Sequence, residues 1–132
     1  MYITQETDYA VRIVYCLAKE NKRCDALFIS TDVGVTLRFT LKILGKLVRG
    51  NIVKSYRGTK GGYEIAKEPK EISINDVLEA LEGKYKLSRC VGNDDGCCEL
   101  ASNGYCKFKQ IFVDISEDVN KKLSAATFDK FL

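Results

Sequence analysis

A basic helix followed by a glycine-tipped hairpin is the feature that most restricts how this chain can fold. After a potential N-cap at Thr36, apolar side chains recur at helical spacing, at Leu37, Leu41, Leu44 and Val48. Basic side chains occupy another side of the same helix, at Arg38, Lys42, Lys46 and Arg49. Two strand-like runs follow, residues 52–57 and 63–66, and the glycine-rich turn between them carries Lys60. This order predicts a winged helix-turn-helix.

Such a unit matches the shape of B-form DNA. The helix fits the major groove, while Arg57 and Lys60 can reach phosphates or the adjacent minor groove. The alternative is an ordinary amphipathic helix with solvated lysines beside an unrelated hairpin. We predict DNA binding through Thr36, Leu37, Arg38, Lys42, Lys46, Arg57 and Lys60.

The flanking segments complete a mainly α fold with a small β-wing. Residues 6–19 show helical periodicity, with Thr4 or Thr7 as the cap, and Asp25 can cap a second helix over residues 26–33. A capping box that begins at Ser73 predicts a helix ending before Gly83. We therefore assign residues 1–83 to the winged helix-turn-helix domain.

Charge is distributed unevenly along the 132 residues. Residues 1–70 carry a formal balance of +6, and residues 71–132 carry −3. The basic half contains the predicted DNA-binding helix and wing, where phosphate neutralisation requires positive charge. No apolar run approaches the length of a membrane span, and the N-terminus has no signal-peptide pattern. These features predict a cytoplasmic protein without membrane contact.

A cysteine-rich segment, residues 84–106, interrupts the periodicity. Four of the six cysteines lie in this segment and span seventeen residues: Cys90, Cys97, Cys98 and Cys106. The chain contains no histidine. Clustered cysteines in a cytoplasmic chain indicate a metal or redox site rather than a disulfide framework. Zinc could take all four thiolates, although the adjacent pair makes that geometry awkward.

The last predicted helix spans residues 107–123. Its apolar side chains form one continuous stripe, at Phe108, Ile111, Phe112, Ile115 and Val119. The stripe is long for the core of so small a domain, so we expect it to pack against a second copy in a two-fold dimer. The alternative is packing on its own domain. Residues 107–132 are assigned to a dimerisation helix and tail.

Several motifs together resemble those of a known family. They are Thr7-Asp8-Tyr9-Ala10, the run over residues 39–47, Arg57-Gly-Thr-Lys-Gly-Gly-Tyr63, the run over residues 76–83, and a cysteine loop before a long helix. In these motifs the chain resembles the bacterial Rrf-two (BadM-type) transcription regulators over nearly its whole length. The resemblance implies a dimeric winged-helix protein whose C-terminal helices cross between subunits. It also implies binding to a palindromic promoter site, usually as a repressor.

The cysteine-bearing branch of that family implies an iron–sulfur cluster, of the 2Fe–2S rather than the 4Fe–4S type. Cys90 and Cys106 match the outer ligands, and either Cys97 or Cys98 the middle one. The resemblance favours Cys97, which follows an Asp-Gly pair. In one group of relatives a histidine supplies the fourth ligand, but Lys109 occupies that position here. Asp8 matches the aspartate that another group supplies from the partner subunit; its alternative role is a helix-start charge.

The resulting hypothesis is a two-state switch in which a cluster sets the DNA affinity of the dimer. One rival keeps DNA binding and replaces the cluster by thiol–disulfide chemistry at the same cysteines. Another rival is a metal or iron–sulfur scaffold that does not bind DNA. Enzyme activity is not expected, because no nucleophile is paired with a base and no phosphate loop is present. Where the cluster-biogenesis relatives carry an acidic residue and glutamine, this chain has Leu41 and Lys42, which implies a different operator.

Overall fold

The computed structural model describes residues 2–92 and 106–132. Its elements are, in chain order, α1 (Gln5–Glu20), α2 (Ala26–Val33), α3 (Leu37–Arg49), β1 (Val53–Tyr56), β2 (Gly62–Ile65), a 3₁₀ turn (Pro69–Glu71), α4 (Ile74–Glu82), α5 (Lys109–Ala125) and a second 3₁₀ turn (Phe128–Phe131). The predicted mainly α fold with a small antiparallel wing is confirmed. None of the described helices combines the length and the apolar composition needed to cross a bilayer.

Side-chain caps fix where the helices begin. The Thr4 hydroxyl accepts a hydrogen bond from the Thr7 backbone N–H at 3.1 Å, which makes Thr4 the cap of α1. Asp25 and Thr36 cap α2 and α3 in the same way, as predicted. Ser73 forms a full capping box at the start of α4. Each cap satisfies N–H groups that the first helical turn leaves free, so these starts are determined locally.

The core lies where α1 packs against α2, α3 and α4. Its fully buried side chains come from helices, wing and tail alike: Ala10, Ile13, Val14, Leu17, Ile29, Ile43, Leu44, Leu47, Val53, Ile72, Val77 and Phe128. The C-terminus of α3 approaches α4 so closely that a Cβ at Gly50 would lie 2.9 Å from the Ala80 Cβ. The end of α3 is therefore packed directly against α4, and α3 also contacts the strand that follows it.

The buried face of α3 differs from the stripe that the sequence suggests. The structure buries Thr40, Ile43, Leu44 and Leu47, which lie at i, i+3, i+4 and i+7. Leu37 and Leu41, the first two members of the expected stripe, are 42% and 44% exposed. Apolar residues are so frequent in α3 that they define two overlapping stripes, and only packing against α1 and α4 selects between them.

The wing acquires a third backbone partner from the loop between α1 and α2. Cys24 and Tyr63 exchange two hydrogen bonds, with N···O distances of 2.9 and 2.8 Å. A Cβ at Gly62 would lie 2.7 Å from the Cys24 carbonyl oxygen, and φ at Gly62 is +146°. A Cβ at Gly61 would lie 2.5 Å from the Tyr56 carbonyl oxygen. Both glycines are therefore required for the close approach of the backbones.

The C-terminal segment returns to the domain after α5. The Phe128 side chain is fully buried, and its backbone N–H donates to the Ile72 carbonyl at 2.9 Å. In α5, the Ser116 hydroxyl accepts a hydrogen bond from the Leu87 N–H, and the Asn120 amide donates to the Tyr85 carbonyl. Polar contacts thus attach this face of α5 to the start of the cysteine segment.

Candidate nucleic-acid interface

The basic side of α3 divides into exposed and paired cations. Arg38 and Lys42 are exposed at the helix surface. Lys46 is only 27% exposed at its side chain, and its ammonium lies 2.7 Å from a carboxylate oxygen of Glu6, which is itself 21% exposed. The Lys42 ammonium lies 3.8 Å from the same oxygen. A single acidic residue of α1 therefore holds Lys46 and restrains Lys42, which the sequence did not indicate.

Thr36 and Leu37 lie at the exposed start of α3. The Thr36 hydroxyl accepts a hydrogen bond from the Phe39 N–H at 3.3 Å, so it serves first as a cap. The opening residues of a recognition helix are the ones that contact base edges in helix-turn-helix proteins. Both positions are accessible for that role.

The tip of the wing carries exposed cations on a stiffened hairpin. Arg57 and Lys60 are both exposed. The Arg23 guanidinium lies 3.4 Å from the centroid of the Tyr56 ring and donates to the Lys60 carbonyl at 3.4 Å. The Tyr56 hydroxyl donates to Glu64 at 2.5 Å, and this hydrogen bond raises the pKa of Tyr56. Arg23 thus connects the loop after α1 to the turn between the two strands through Tyr56 and Lys60. The sequence shows that this loop is basic, but it does not show that Arg23 contacts the hairpin.

The first turn of α1 contains the predicted carboxylate ligand. The Asp8 carboxylate lies 3.1 Å from the Arg12 guanidinium, and both side chains are about half exposed. Exposed i, i+4 pairs of this kind are weak, so Asp8 can exchange Arg12 for another cation. Four residues earlier, the Thr4 backbone N–H donates to the Glu82 carboxylate at 3.0 Å. The start of α1 therefore contacts the end of α4, next to the cysteine segment.

Cys90 and Cys106 are free thiols and partly exposed. The Cys90 sulfur lies 3.2 Å from the Ser88 hydroxyl. Cys97 and Cys98, the two candidates for the middle ligand, lie outside the described residues. Within the described ranges, no three histidine, cysteine, aspartate or glutamate side chains are grouped as a metal site. The partly exposed free thiols of Cys90 and Cys106 fit the donor set of an iron–sulfur cluster.

The other two described cysteines have a different environment. Burial and a hydrogen bond with Asp32 raise the pKa of Cys16 to about 12. Burial also raises the pKa of Cys24, and the nearby carboxylate of Glu20 adds to the effect. Because the thiolate is the reactive form, a raised pKa makes both thiols less reactive near neutral pH. Thiol chemistry in the described residues is therefore concentrated at the cysteine segment.

A family model described as "Rrf2: Iron-dependent Transcriptional regulator" matches residues 3–132. The chain belongs to the Rrf2 family. It is 32% identical to Protein aau3 of Rhizobium meliloti (strain 1021) over 104 residues, which cover 78% of this chain and 68% of that protein. It is 26% identical to the HTH-type transcriptional regulator NsrR of Shouchella clausii (strain KSM-K16), over 84% of this chain and 74% of that protein.

Solved structures with the same fold include T. potens IscR, with a TM-score of 0.75, 20% identity, and coverage of 99% of this chain and 85% of that one. CymR (YrzC), the global cysteine regulator of B. subtilis, gives a TM-score of 0.77 at 20% identity, covering 99% of this chain and 95% of that one. At such identities the likeness shows the winged-helix fold. Family membership then makes this Rrf2 chain a DNA-binding transcription regulator and not an enzyme.

Proposed function

We propose that this Rrf2 protein binds a palindromic DNA operator as a homodimer and represses transcription in response to a signal at its cysteine segment. In each subunit α3 enters the major groove, while Arg57 and Lys60 of the wing contact phosphates or the adjacent minor groove. The observation that carries the proposal is the exposure of these cations. Arg38, Lys42, Arg57 and Lys60 all reach solvent, and the core closes without them.

The dimer proposal rests on the outer face of α5. Phe108 and Ile111 are 67% and 52% exposed, and Ile115 one turn further along is also exposed. The face of α5 that hydrogen-bonds to its own domain is polar, through Ser116 and Asn120. An apolar stripe left exposed beside a polar intrachain contact favours burial against the same stripe of a second copy. Two-fold symmetry then places two α3 helices on one palindrome.

The proposed signal site combines Cys90, Cys106 and one of Cys97 and Cys98 with Asp8 of the partner subunit. Its support is the accessibility of the two described thiols, the weak pairing of Asp8, and the iron dependence in the family description. A bound iron–sulfur cluster would supply an iron centre whose redox state and ligand exchange respond to the environment. The chain's own contribution is to hold the start of the cysteine segment against α5 through Ser116 and Asn120.

A thiol–disulfide switch at the same cysteines is the second candidate. One solved relative of this fold is the oxidised form of CymR from Staphylococcus aureus, with a TM-score of 0.71 at 22% identity. Anaerobic purification followed by iron and sulfide analysis separates the two candidates. A visible chromophore that is lost in Cys90→Ser and Cys106→Ser supports the cluster, whereas a colourless protein that forms an oxidant-dependent disulfide supports the thiol switch.

The DNA-binding proposal is tested by selecting an operator from a random duplex library with the full chain. Binding to that operator is then titrated at several salt concentrations. We expect Arg57→Ala and Lys60→Ala each to weaken binding and to reduce the logarithmic salt slope by about 1.8 per dimer, because each removes one phosphate contact from both subunits and each contact contributes about 0.9. Lys70→Ala is the matched control, since Lys70 is exposed, pairs with Glu68 and lies in the first 3₁₀ turn rather than in the wing strands. Unchanged binding in both wing variants would overturn the proposed interface.

The oligomeric state is tested separately by light scattering. Ile111→Glu should convert the dimer to a monomer, because it places a carboxylate in the apolar stripe. Lys121→Glu also adds negative charge to an exposed position of α5 but lies outside the stripe, and it should leave the dimer intact. A dimer that persists in Ile111→Glu would place the interface elsewhere.

A further inference from the structure

Two leucines remain exposed on the helix proposed to read DNA. Leu37 and Leu41 lie one turn apart in α3 and are 42% and 44% exposed, while Ile43, Leu44 and Leu47 of the same helix are completely buried. The first leucine directly follows the N-cap, at the end of the helix where base contacts are made. The core therefore leaves an apolar strip of two side chains uncovered at the proposed interface.

The charges beside this strip indicate what covers it. Arg38 and Lys42 each follow one of the leucines in the sequence and are exposed next to them. An apolar protein surface placed on the strip would have to desolvate both cations, and Glu6, which lies 3.8 Å from Lys42 and is shared with Lys46, offsets only part of that cost. A DNA groove supplies phosphates along its edges for these cations, so the leucines then face its floor. Charge complementarity thus favours DNA as the occupant.

The floor of the major groove presents one apolar group, the C5 methyl of thymine. A leucine side chain has no hydrogen-bond donor or acceptor, so it cannot distinguish bases by the polar pattern of their edges. Four residues of α-helix advance about 6 Å along the axis. Base pairs follow one another at about 3.4 Å, so side chains at this separation reach base pairs roughly two steps apart.

We propose that Leu37 and Leu41 read thymine methyl groups at two positions about two base pairs apart in each operator half-site. This inference rests on the proposed DNA-binding function and names the base chemistry that the α3 helix selects. Recognition at these positions is by apolar contact, whereas Arg38 and Lys42 supply attraction to phosphate. The half-site is accordingly thymine-containing at the positions under the start of α3.

The test replaces thymine by deoxyuridine, one position at a time, in the operator selected with the full chain. Deoxyuridine lacks only the C5 methyl, so base pairing and groove hydrogen bonds are unchanged. Burial of one methyl-sized group predicts about a fourfold loss of affinity at each contacted position. We expect the loss at two positions in each half-site. Leu37→Ala and Leu41→Ala should each abolish the loss at one position, so that thymine and deoxyuridine operators bind that variant equally.

Arg57→Ala serves as the control variant. It should weaken binding to both operators while preserving the ratio between them, since its contact is not to a methyl group. Both leucines are exposed, so their alanine variants should keep the parent's thermal midpoint. The inference is overturned if deoxyuridine has no effect at any thymine, or if its effect persists unchanged in both leucine variants; the DNA-binding function would then stand. A chain that selects no operator at all overturns the proposed function and this inference with it.

Discussion

Glu6 of α1 provides the sharpest test of how the structure balances stability against DNA affinity. Its carboxylate holds Lys46 at 2.7 Å and Lys42 at 3.8 Å, and so neutralises part of the basic side of α3. We predict that Glu6→Gln destabilises the fold and at the same time strengthens non-specific binding to DNA. Stability falls while DNA affinity rises, because the Glu6 carboxylate stabilises the fold through Lys46 and also competes with DNA phosphates for Lys42 and Lys46.

The expected loss of stability follows from the burial of the pair. Exposed ion pairs contribute about 0–1 kcal/mol, and removing one partner of a buried pair costs about 3–5 kcal/mol. The Glu6 and Lys46 side chains are mostly, but not completely, buried. We therefore expect the free energy of unfolding to fall by about 1–2 kcal/mol. At fixed protein concentration this corresponds to a decrease of roughly 3–8 °C in Tm.

The gain in DNA affinity follows from the released charge. With Glu6 neutral, Lys42 and Lys46 can both turn towards phosphate. Each additional phosphate contact steepens the logarithmic salt dependence by about 0.9. Fluorescence anisotropy with a random-sequence duplex at several salt concentrations measures this slope, and urea denaturation measures the stability.

Glu68→Gln is the matched control. Glu68 also pairs with a lysine, Lys70 at 3.0 Å, but both side chains are exposed and the pair lies at the first 3₁₀ turn rather than in α3. This variant should change neither stability nor salt slope measurably. A double-mutant cycle between Glu6→Gln and Lys46→Gln isolates the pair itself. The reasoning is refuted if Glu6→Gln behaves like the control, or if the cycle shows no coupling.

Three further predictions concern the core, the wing and the buried thiol. Phe128→Ala should lower the free energy of unfolding by about 3–5 kcal/mol, because it empties a fully buried site, whereas exposed Phe131→Ala should change it by less than about 0.5 kcal/mol; urea denaturation compares them. Gly62→Ala should weaken operator binding in a titration, because the new Cβ would lie 2.7 Å from the Cys24 carbonyl oxygen and would displace the wing from the backbone that it pairs with. At pH 8 iodoacetamide should alkylate the partly exposed Cys90 but not the buried Cys16. Because the pKa of Cys16 is about 12 in the folded state and 9 in the unfolded state, the neutral thiol's contribution to folding stability is complete below pH 9 and is lost as the pH rises towards 12. The free energy of unfolding should therefore fall less steeply above pH 9 in Cys16→Ala than in the parent protein.

Local signals in the sequence predicted where the helices of the winged-helix unit begin. The caps at Asp25, Thr36 and Ser73 depend on hydrogen bonds that span three residues, so a short stretch of sequence contains all the information. The wing strands were also predictable, because paired glycines between two strand-like runs leave few alternatives.

Contacts between distant parts of the chain could not be predicted in the same way. The outward position of Leu37 and Leu41 depends on how α3 is rotated against α1, and the pairing of Lys46 depends on a carboxylate forty residues earlier. Burial of Phe128 likewise depends on the chain turning back after α5. Each of these features is determined by packing between distant segments, and the local sequence pattern does not distinguish it from the alternatives.

The first turn of α1 contacts both the residues before the cysteine segment and the α3 helix, so it could connect the proposed signal site to DNA binding. At one end, the Thr4 N–H is held by Glu82, directly before that segment, and at the other, Glu6 holds Lys46 of α3. Asp8, the proposed partner-subunit ligand, lies in the same turn. In the proposed dimer, a cluster in one subunit that pulls on Asp8 of the partner subunit would therefore displace or strain the turn that positions Glu6 in that partner. The ligand can change DNA affinity only by as much as its own binding free energy differs between the two positions of this turn. Loss of the contact between Glu6 and Lys46 should therefore uncouple ligand binding from DNA affinity while the proposed signal site remains.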